Sequence, residues 1–459
     1  MGRSGNIVRR LTFVTRQLFV NLPPIVPAIM IRTIRIFCPA VSFLYILLSL
    51  PLFNVQACPA GGGAGASQKD YPPNGIWQAS IIRKDGQFIR FNFEMKDSAG
   101  KKILYIMNGK ERLLADNIRQ QEDSLFIEMP FFDSRFALRI YDDDKLEGNW
   151  IKNYGHRQVI MPFRAFRNET KRFSVSRQPL FNITGRWSVH FREKNQTTEE
   201  AVGEFRQSGS EITGTFLTTT GDYRFLEGVV DGDSLRLSTF DGGHAYYFTA
   251  KIDAADKISG GAFYSGATSK EGWQAEKNEH AALPDEFSLT TLKNPHDDRL
   301  NFTFRSTDGP LVSINDKAFK NKVVIVQIMG SWCPNCMDET RFLSDYYKKN
   351  KARGIEIIAL AYERTPNFDE SRKSLQSFKN RFDVTYPVLV TPVALNDSLR
   401  TEKTLPQIKK ILGFPTTIFI DKAGKVRKIS TGFNGPGTGD HYEIFKKEFN
   451  ELVNGLLKE

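Results

Sequence analysis

Cysteine and histidine, the usual ligands of a structural zinc site, are scarce in this chain. There are four cysteines in 459 residues, and two of them, Cys38 and Cys58, fall within the first 58 positions. The six histidines (His156, His190, His244, His280, His296 and His441) are scattered without ligand spacing. A structural zinc site needs a second Cys or His pair close in sequence, so no metal is expected, and no cofactor. A dominant basic patch is also missing. The formal net charge is +11, but residues 1–58 hold six arginines and no acids, so 11 − 6 leaves +5 on the rest. No clustered basic stretch with interleaved aromatics occurs, and nucleic acid is not an expected partner. Between residues 71 and 280 no segment of helix length shows a helical period. The most apolar run, Ile36 to Phe53, is interrupted by Pro39 and Pro51, which suit a long membrane-spanning helix poorly.

What is present centres on Trp332-Cys333-Pro334-Asn335-Cys336. The apolar run Val323–Met329 leads into it, and Cys336, Thr340, Leu343 and Tyr347 leave it at helical spacing. The pattern is a strand, a short turn and two cysteines at the start of a helix. The first turn of a helix has unpaired N–H groups and partial positive charge, which favours thiolate over thiol. The thiolate is the nucleophile, so Cys333 is expected to attack. Pro334 fits a first helical position, where no N–H is needed. Cys336 can reach back and close a small disulfide ring, letting one site exchange two electrons. A purely structural disulfide here would close so short a loop that it would restrict the unfolded chain little.

From about Leu283 to Glu459 the chain resembles the TlpA/ResA group of exported thioredoxin-fold thiol–disulfide oxidoreductases. The likeness rests on the Trp-Cys-x-x-Cys, on Glu339, on Gly413-Phe414-Pro415-Thr416-Thr417 and on the hairpin sequence Phe419–Val426. It implies a thioredoxin fold over 281–459, a cis peptide at Pro415, and a protein-disulfide substrate lying against Trp332, Pro334, Asn335, Phe414, Pro415 and Thr416. It also implies an active-site role for Glu339, three residues past Cys336. A carboxylate there could raise a thiol pKa or shuttle a proton; the alternative is a helix-terminus carboxylate favoured by the dipole. Two positions depart from the wider thioredoxin pattern. Arg341 stands where many relatives have a helix-kinking proline. Gln327 replaces the buried Asp of cytoplasmic thioredoxins, and a buried hydrogen bond is expected of it. In the same region Asp285 to Phe304 reads as an extended lead-in, and Asp369–Phe382 and Thr404–Leu412 read as helical.

Residues 1–58 have the order of an export signal: Arg32 and Arg35, an apolar run, then Asn54-Val55-Gln56-Ala57-Cys58. Met30 would start a signal of ordinary length. Val55–Cys58 resembles a permissive lipobox, making Cys58 the lipid-bearing residue; cleavage after Ala57 or an uncleaved anchor are the alternatives. Residues 59–70, rich in Gly and Ala, read as a flexible tether.

Residues 71–280 read as all-β. Ile89, Phe91, Phe93 and Met95 alternate with polar neighbours, and Asp85-Gly86, Asn108-Gly109, Asp231-Gly232 and Asp241-Gly242 are hairpin-turn signals. Gly75-Ile76-Trp77 and Asp123-Ser124-Leu125 recur 110 residues later as Gly185-Arg186-Trp187 and Asp233-Ser234-Leu235. Two copies of one unit are expected, 71–172 and 173–280, each faintly resembling a lipocalin-like barrel or curled sheet. Trp77 and Trp187 are expected in their cores.

The function expected is that of an extracytoplasmic thiol–disulfide oxidoreductase reducing protein disulfides. A membrane thiol protein would supply electrons, and a lipid on Cys58 would hold the protein to the periplasmic or outer-membrane side of a Gram-negative envelope. A peroxiredoxin-type thiol peroxidase is the alternative, but Val326 and Gly330 occupy the positions where that family has Pro and Thr. A third reading makes the β repeats a ligand-binding protein with the dithiol as accessory.

Overall fold

The structure, a computed structural model, describes residues 71–154, 157–192 and 198–459. The expected signal segment with Met30 and Cys58, and the 59–70 tether, lie outside the described residues.

The first sheet has nine strands: β1 (Gly75–Ile82), β2 (Phe88–Ser98), β3 (Lys101–Asn108), β4 (Glu111–Ala115), β5 (Asn117–Gln121), β6 (Ser124–Glu128), β7 (Ser134–Asp142), β8 (Lys145–Tyr154) and β9 (Arg157–Arg167). Their order is β4-β3-β2-β1-β9-β8-β7-β6-β5, so the sheet curls until β4 and β5 are its two free edges. Alternation along β2 explains why it forms: Ile89, Phe91, Phe93 and Met95 are buried, while Arg90 and Glu94 reach the surface.

The second sheet repeats the plan with β10 (Gly185–Arg192), β11 (Thr198–Ser208), β12 (Glu211–Thr218), β13 (Gly221–Asp222), β14 (Leu226–Asp231), β15 (Ser234–Phe240), β16 (Ala245–Ala254), β17 (Lys257–Ser265) and β18 (Ser269–Lys277). Here β11 also pairs with β12, which closes the ring. The internal likeness extends to geometry. Trp77 and Trp187 are fully buried, and each indole N–H donates to the carbonyl four residues earlier, Pro73 at 3.4 Å and Ile183 at 3.0 Å. Gly75 and Gly185, two residues before them, share φ values of 131° and 124° that side chains disfavour.

The two sheets share side chains. Phe240 of β15 enters the core of the first, stacking 4.3 Å from Phe91 and meeting Trp150 edge-on at 5.4 Å. Its backbone is tied on both sides by Asn108, at 2.8 and 3.2 Å.

Residues 285–459 have the thioredoxin fold. Its seven-stranded sheet contains β19 (Thr303–Ser306), β20 (Leu311–Ser313), β21 (Val323–Met329), β22 (Ile355–Ala361), β23 (Val388–Val390), β24 (Thr416–Ile420) and β25 (Val426–Thr431), in the order β20-β19-β23-β22-β21-β24-β25. Every residue of β21 is buried, because the strand is covered on both faces; it runs parallel to β22 and antiparallel to β24. The helices are α1 (Glu286–Leu289), α2 (Pro334–Asn350), α3 (Phe368–Arg381), α4 (Arg400–Thr404) and α5 (Asp440–Lys458).

Two local expectations are corrected. The lead-in from Asp285 is not extended throughout: Asp285 caps α1 by accepting from the Phe287 N–H at 3.1 Å. The helix expected at Thr404–Leu412 lies earlier, ending at Thr404, because Pro406 disfavours helical backbone at Leu405.

Candidate active site

The dithiol sits where β21 hands over to α2. Cys333 is the N-cap of α2, with extended backbone, and its Sγ accepts the Cys336 N–H at 3.2 Å. Pro334 takes the first helical position. Behind it Cys336 is fully buried, its Sγ 2.6 Å from that of Cys333, both as free thiols. Cys333 is itself only 4% exposed, and its thiol faces the Phe414 carbonyl at 3.6 Å. The Phe414–Pro415 peptide is cis.

Around this centre the expected substrate-contacting residues take different positions. Trp332 is half-buried; its indole N–H donates to the Tyr362 carbonyl at 2.8 Å and its ring lies 5.4 Å from Phe414, edge to face. Pro334, Asn335 and Phe414 are half-buried and Pro415 is buried beside the thiols. Asn335 Oδ1 is a buried acceptor with no hydrogen-bond partner among the described residues. Thr416 is turned inward, its hydroxyl donating to the Gly413 carbonyl at 2.9 Å.

Glu339 lies below the dithiol, brought there by one turn of α2. It is buried, and its carboxyl accepts from Thr417 Oγ1 at 2.6 Å and from Gln327 Nε2 at 2.7 Å. Gln327 in turn accepts from Thr340 at 3.1 Å. Three elements, α2, β21 and β24, thus converge on one carboxyl. Burial pushes the Glu339 pKa up to about 7, against the lowering effect of the two hydrogen bonds. Burial, with Cys333 and then Glu339 contributing, holds the Cys336 thiol well above its ordinary value. Glu339 is the sixth residue of α2, past its first turn, and it is not a surface carboxylate.

Several residues beside the dithiol carry no local signal in the sequence. Arg224, between β13 and β14, forms buried ion pairs with Asp338 of α2 and Glu111 of β4, and lies 3.5 Å from the Pro334 carbonyl. Burial opposes its charge, but Asp338 and Glu111 outweigh that, so the guanidinium stays protonated; burial also holds Asp338 up to about 7 against the pull of Arg224, so this ion pair is at full strength only above that pH. Glu363 accepts from the Ser331 N–H and hydroxyl, both at 2.8 Å, bracing the loop before Trp332. Arg364 packs its guanidinium over Trp332 and over Tyr154 of β8. Burial, then the charges of Asp241 and Cys333, keep the phenol of Tyr246 in β16 protonated. Arg224 and Asp338 are 114 residues apart, and no spacing rule would pair them.

An N-terminal cap cysteine with its thiol accepting an N–H, backed by a second cysteine and a buried carboxyl, can form and release a disulfide while a proton moves nearby. Sequence comparison with known proteins points the same way. Residues 295–444 match the Redoxin family. The chain is 30% identical over 135 residues to the thiol-disulfide oxidoreductase ResA of Bacillus subtilis, covering 29% of this chain and 66% of that protein. It is 30% identical over 126 residues to ResA of Bacillus thuringiensis, covering 28% of this chain and 63% of that protein. These matches fall just short of two thirds of each relative's length. A crystal structure of a thioredoxin-family thiol:disulfide interchange protein from Chlorobium tepidum aligns with 35% of this chain and 95% of its own, at 21% identity and a TM-score of 0.25.

Proposed function

The C-terminal part of this chain is a redoxin domain of the ResA/TlpA-like kind, and on that premise we propose that the protein is an extracytoplasmic reductant of protein disulfides. The observation that carries the reading is Cys333 at the N-cap of α2, its sulfur accepting the Cys336 N–H beside Phe414–Pro415. Cys333 as thiolate attacks one sulfur of a substrate disulfide; a mixed disulfide forms and the other substrate sulfur leaves as thiolate. Cys336 loses its proton and attacks Cys333, which closes the Cys333–Cys336 disulfide and releases the second substrate thiol. Glu339, whose charge acts on the Cys336 thiol, is assigned the Cys336 proton, since its own pKa near 7 lets it accept and return one at neutral pH. The substrate gains two electrons, and a membrane thiol protein restores the dithiol.

In this reading Trp332, Pro334, Asn335, Phe414 and Pro415 form the contact face, while the inward hydroxyl of Thr416 supports it. The β repeats at 71–172 and 173–280 form a platform for the redox domain at 281–459, and a lipid on Cys58 tethers the whole to the envelope. Among the described residues no helix is long and apolar enough to cross a membrane. Insulin reduction with dithiothreitol as electron source tests the proposal. The full chain should accelerate precipitation of the reduced B chain, and Cys333→Ser should not. A wild-type rate no greater than that of Cys333→Ser would refute it.

A further inference from the structure

A protein disulfide approaching Cys333 would have to lie between the dithiol turn, the Gly413–Pro415 loop and the Gly432–Gly437 loop. In this structure that groove is already filled, by the turn of the second β repeat that joins β12 to β13. Four contacts define the fit. The Gly221 backbone lies so close to Asn335, between the two cysteines, that a Cβ at 221 would overlap its amide. The Thr220 methyl fills the space a Cβ would need at Gly413, one residue before Phe414. The Thr219 carbonyl presses on Gly432, where an added Cβ would come within 2.8 Å. Asp222 Oδ2 accepts the Gly435 N–H at 2.8 Å. Beyond the turn, the Arg224 ion pair to Asp338 fastens it to α2.

We infer that the Thr218–Asp222 turn is an occupant of the substrate groove built into the chain, and that a protein disulfide reaches Cys333 only when this turn withdraws. The inference rests on the proposed reductase function. Near-complete burial of an attacking thiol is what such an occupant produces, since a nucleophile for protein disulfides must become accessible. Withdrawal must release the Asp222–Gly435 hydrogen bond and loosen the Arg224 ion pair. In its own sheet the far arm of the turn is only a two-residue strand, with Leu217↔Asp222 and Thr218↔Gly221 in register, while β12 stays paired to β11 as far as Leu217. Its side chains are three threonines and an aspartate, so withdrawal exposes little apolar surface. It leaves Asn335 Oδ1 without a partner, an acceptor that an N–H of an incoming extended chain could satisfy.

The test uses the full chain, reduced, in a Cys336→Ser background so that only one thiol of the pair can react. Labelling by a polyethylene-glycol maleimide is followed at Cys333 by peptide mass spectrometry. Gly221→Ala should unseat the turn, since φ of 144° there disfavours any side chain and its Cβ would overlap the Asn335 amide, and Thr220→Ala should loosen it more gently at Gly413. Neither residue belongs to the dithiol machinery. Relative to the parent, Gly221→Ala should label about tenfold faster, as for a site limited by local opening; Thr220→Ala should shift the same way. Should Gly221→Ala fail to fold, Thr220→Ala decides alone. Equal rates in parent and folded variants would overturn the inference, as would parent labelling as fast as in urea-unfolded chain. Insulin reduction by the same variants with Cys336 restored separates the two ideas. Faster labelling without any reduction defeats the reductase reading and leaves the occluding turn. Reduction with unchanged labelling does the reverse.

Discussion

Replacing Glu339 by glutamine removes a buried proton-binding group while keeping its shape and one acceptor oxygen, so of the bonds from Thr417 and Gln327 only one is retained as it stands, a loss that does not vary with pH. In the folded protein burial raises this carboxyl from its ordinary value of 4.5 to about 7. At about 1.4 kcal/mol per unit, ionising Glu339 costs the fold about 3 kcal/mol relative to the unfolded chain. Between pH 4.5 and about 7 the folded protein keeps a proton that the unfolded chain has lost. The stabilising increment is therefore complete below pH 4.5 and lost as pH rises through about 7. Glu339→Gln should lack this loss, so the stability difference, variant minus wild type, should climb by about 3 kcal/mol across that window. Urea titrations of both proteins at a series of pH values, under reductant, read the difference directly, because titrations of unrelated groups cancel. The same substitution should lower the Cys336 pKa, because a nearby negative charge no longer opposes the thiolate; ultraviolet thiolate absorbance against pH follows it. Parallel stability curves with superimposable thiol titrations would refute the reasoning and leave Glu339 as a packing residue.

Cys336→Ser should accumulate mixed disulfides through Cys333, visible as adducts on non-reducing gels. If the single-cysteine variants showed adducts through Cys336 instead, the assignment of attacking and resolving thiols would be reversed. Arg224→Met should destabilise the protein by about 3–5 kcal/mol, because Asp338 and Glu111 would remain buried without a counter-charge. Adding Asp338→Leu and Glu111→Leu should recover much of that loss, and thermal unfolding of the single and triple variants checks it. Cys58→Ala should move the protein from the membrane fraction to the soluble exported one, or leave it unprocessed. An unmodified Cys58 in the mass spectrum of the mature amino terminus would contradict the lipid anchor.

Much of the molecule could be read locally. Alternation along β2, the Asp-Gly turns and the 110-residue recurrence of Trp77 as Trp187 announce two β units, because side-chain direction in a strand repeats over two residues whatever the distant chain does. The cysteine pair likewise declares itself through an apolar strand before it and a helical period after it. Local reading failed at the helix expected from Thr404, where Pro406 stops what the apolar spacing suggested. It also could not choose between a capping and a buried Glu339. That choice depends on Gln327 and Thr417, which reach the carboxyl from two other strands.

What tertiary structure alone decided is how the β repeats meet each other and the redox domain. Phe240 completes the core of a sheet to which it does not belong, and Arg224 crosses 114 residues of sequence to neutralise Asp338. The threonine turn at 218–222 carries none of the Asp-Gly or Asn-Gly signals that mark other hairpins in the sequence. It fills the dithiol groove only because the closed ring of the second repeat aims it there. Local sterics and hydrophobic period act within a few residues and leave their mark on the sequence. Which buried charge or turn meets which partner depends on the path of the whole chain, and no short pattern encodes that.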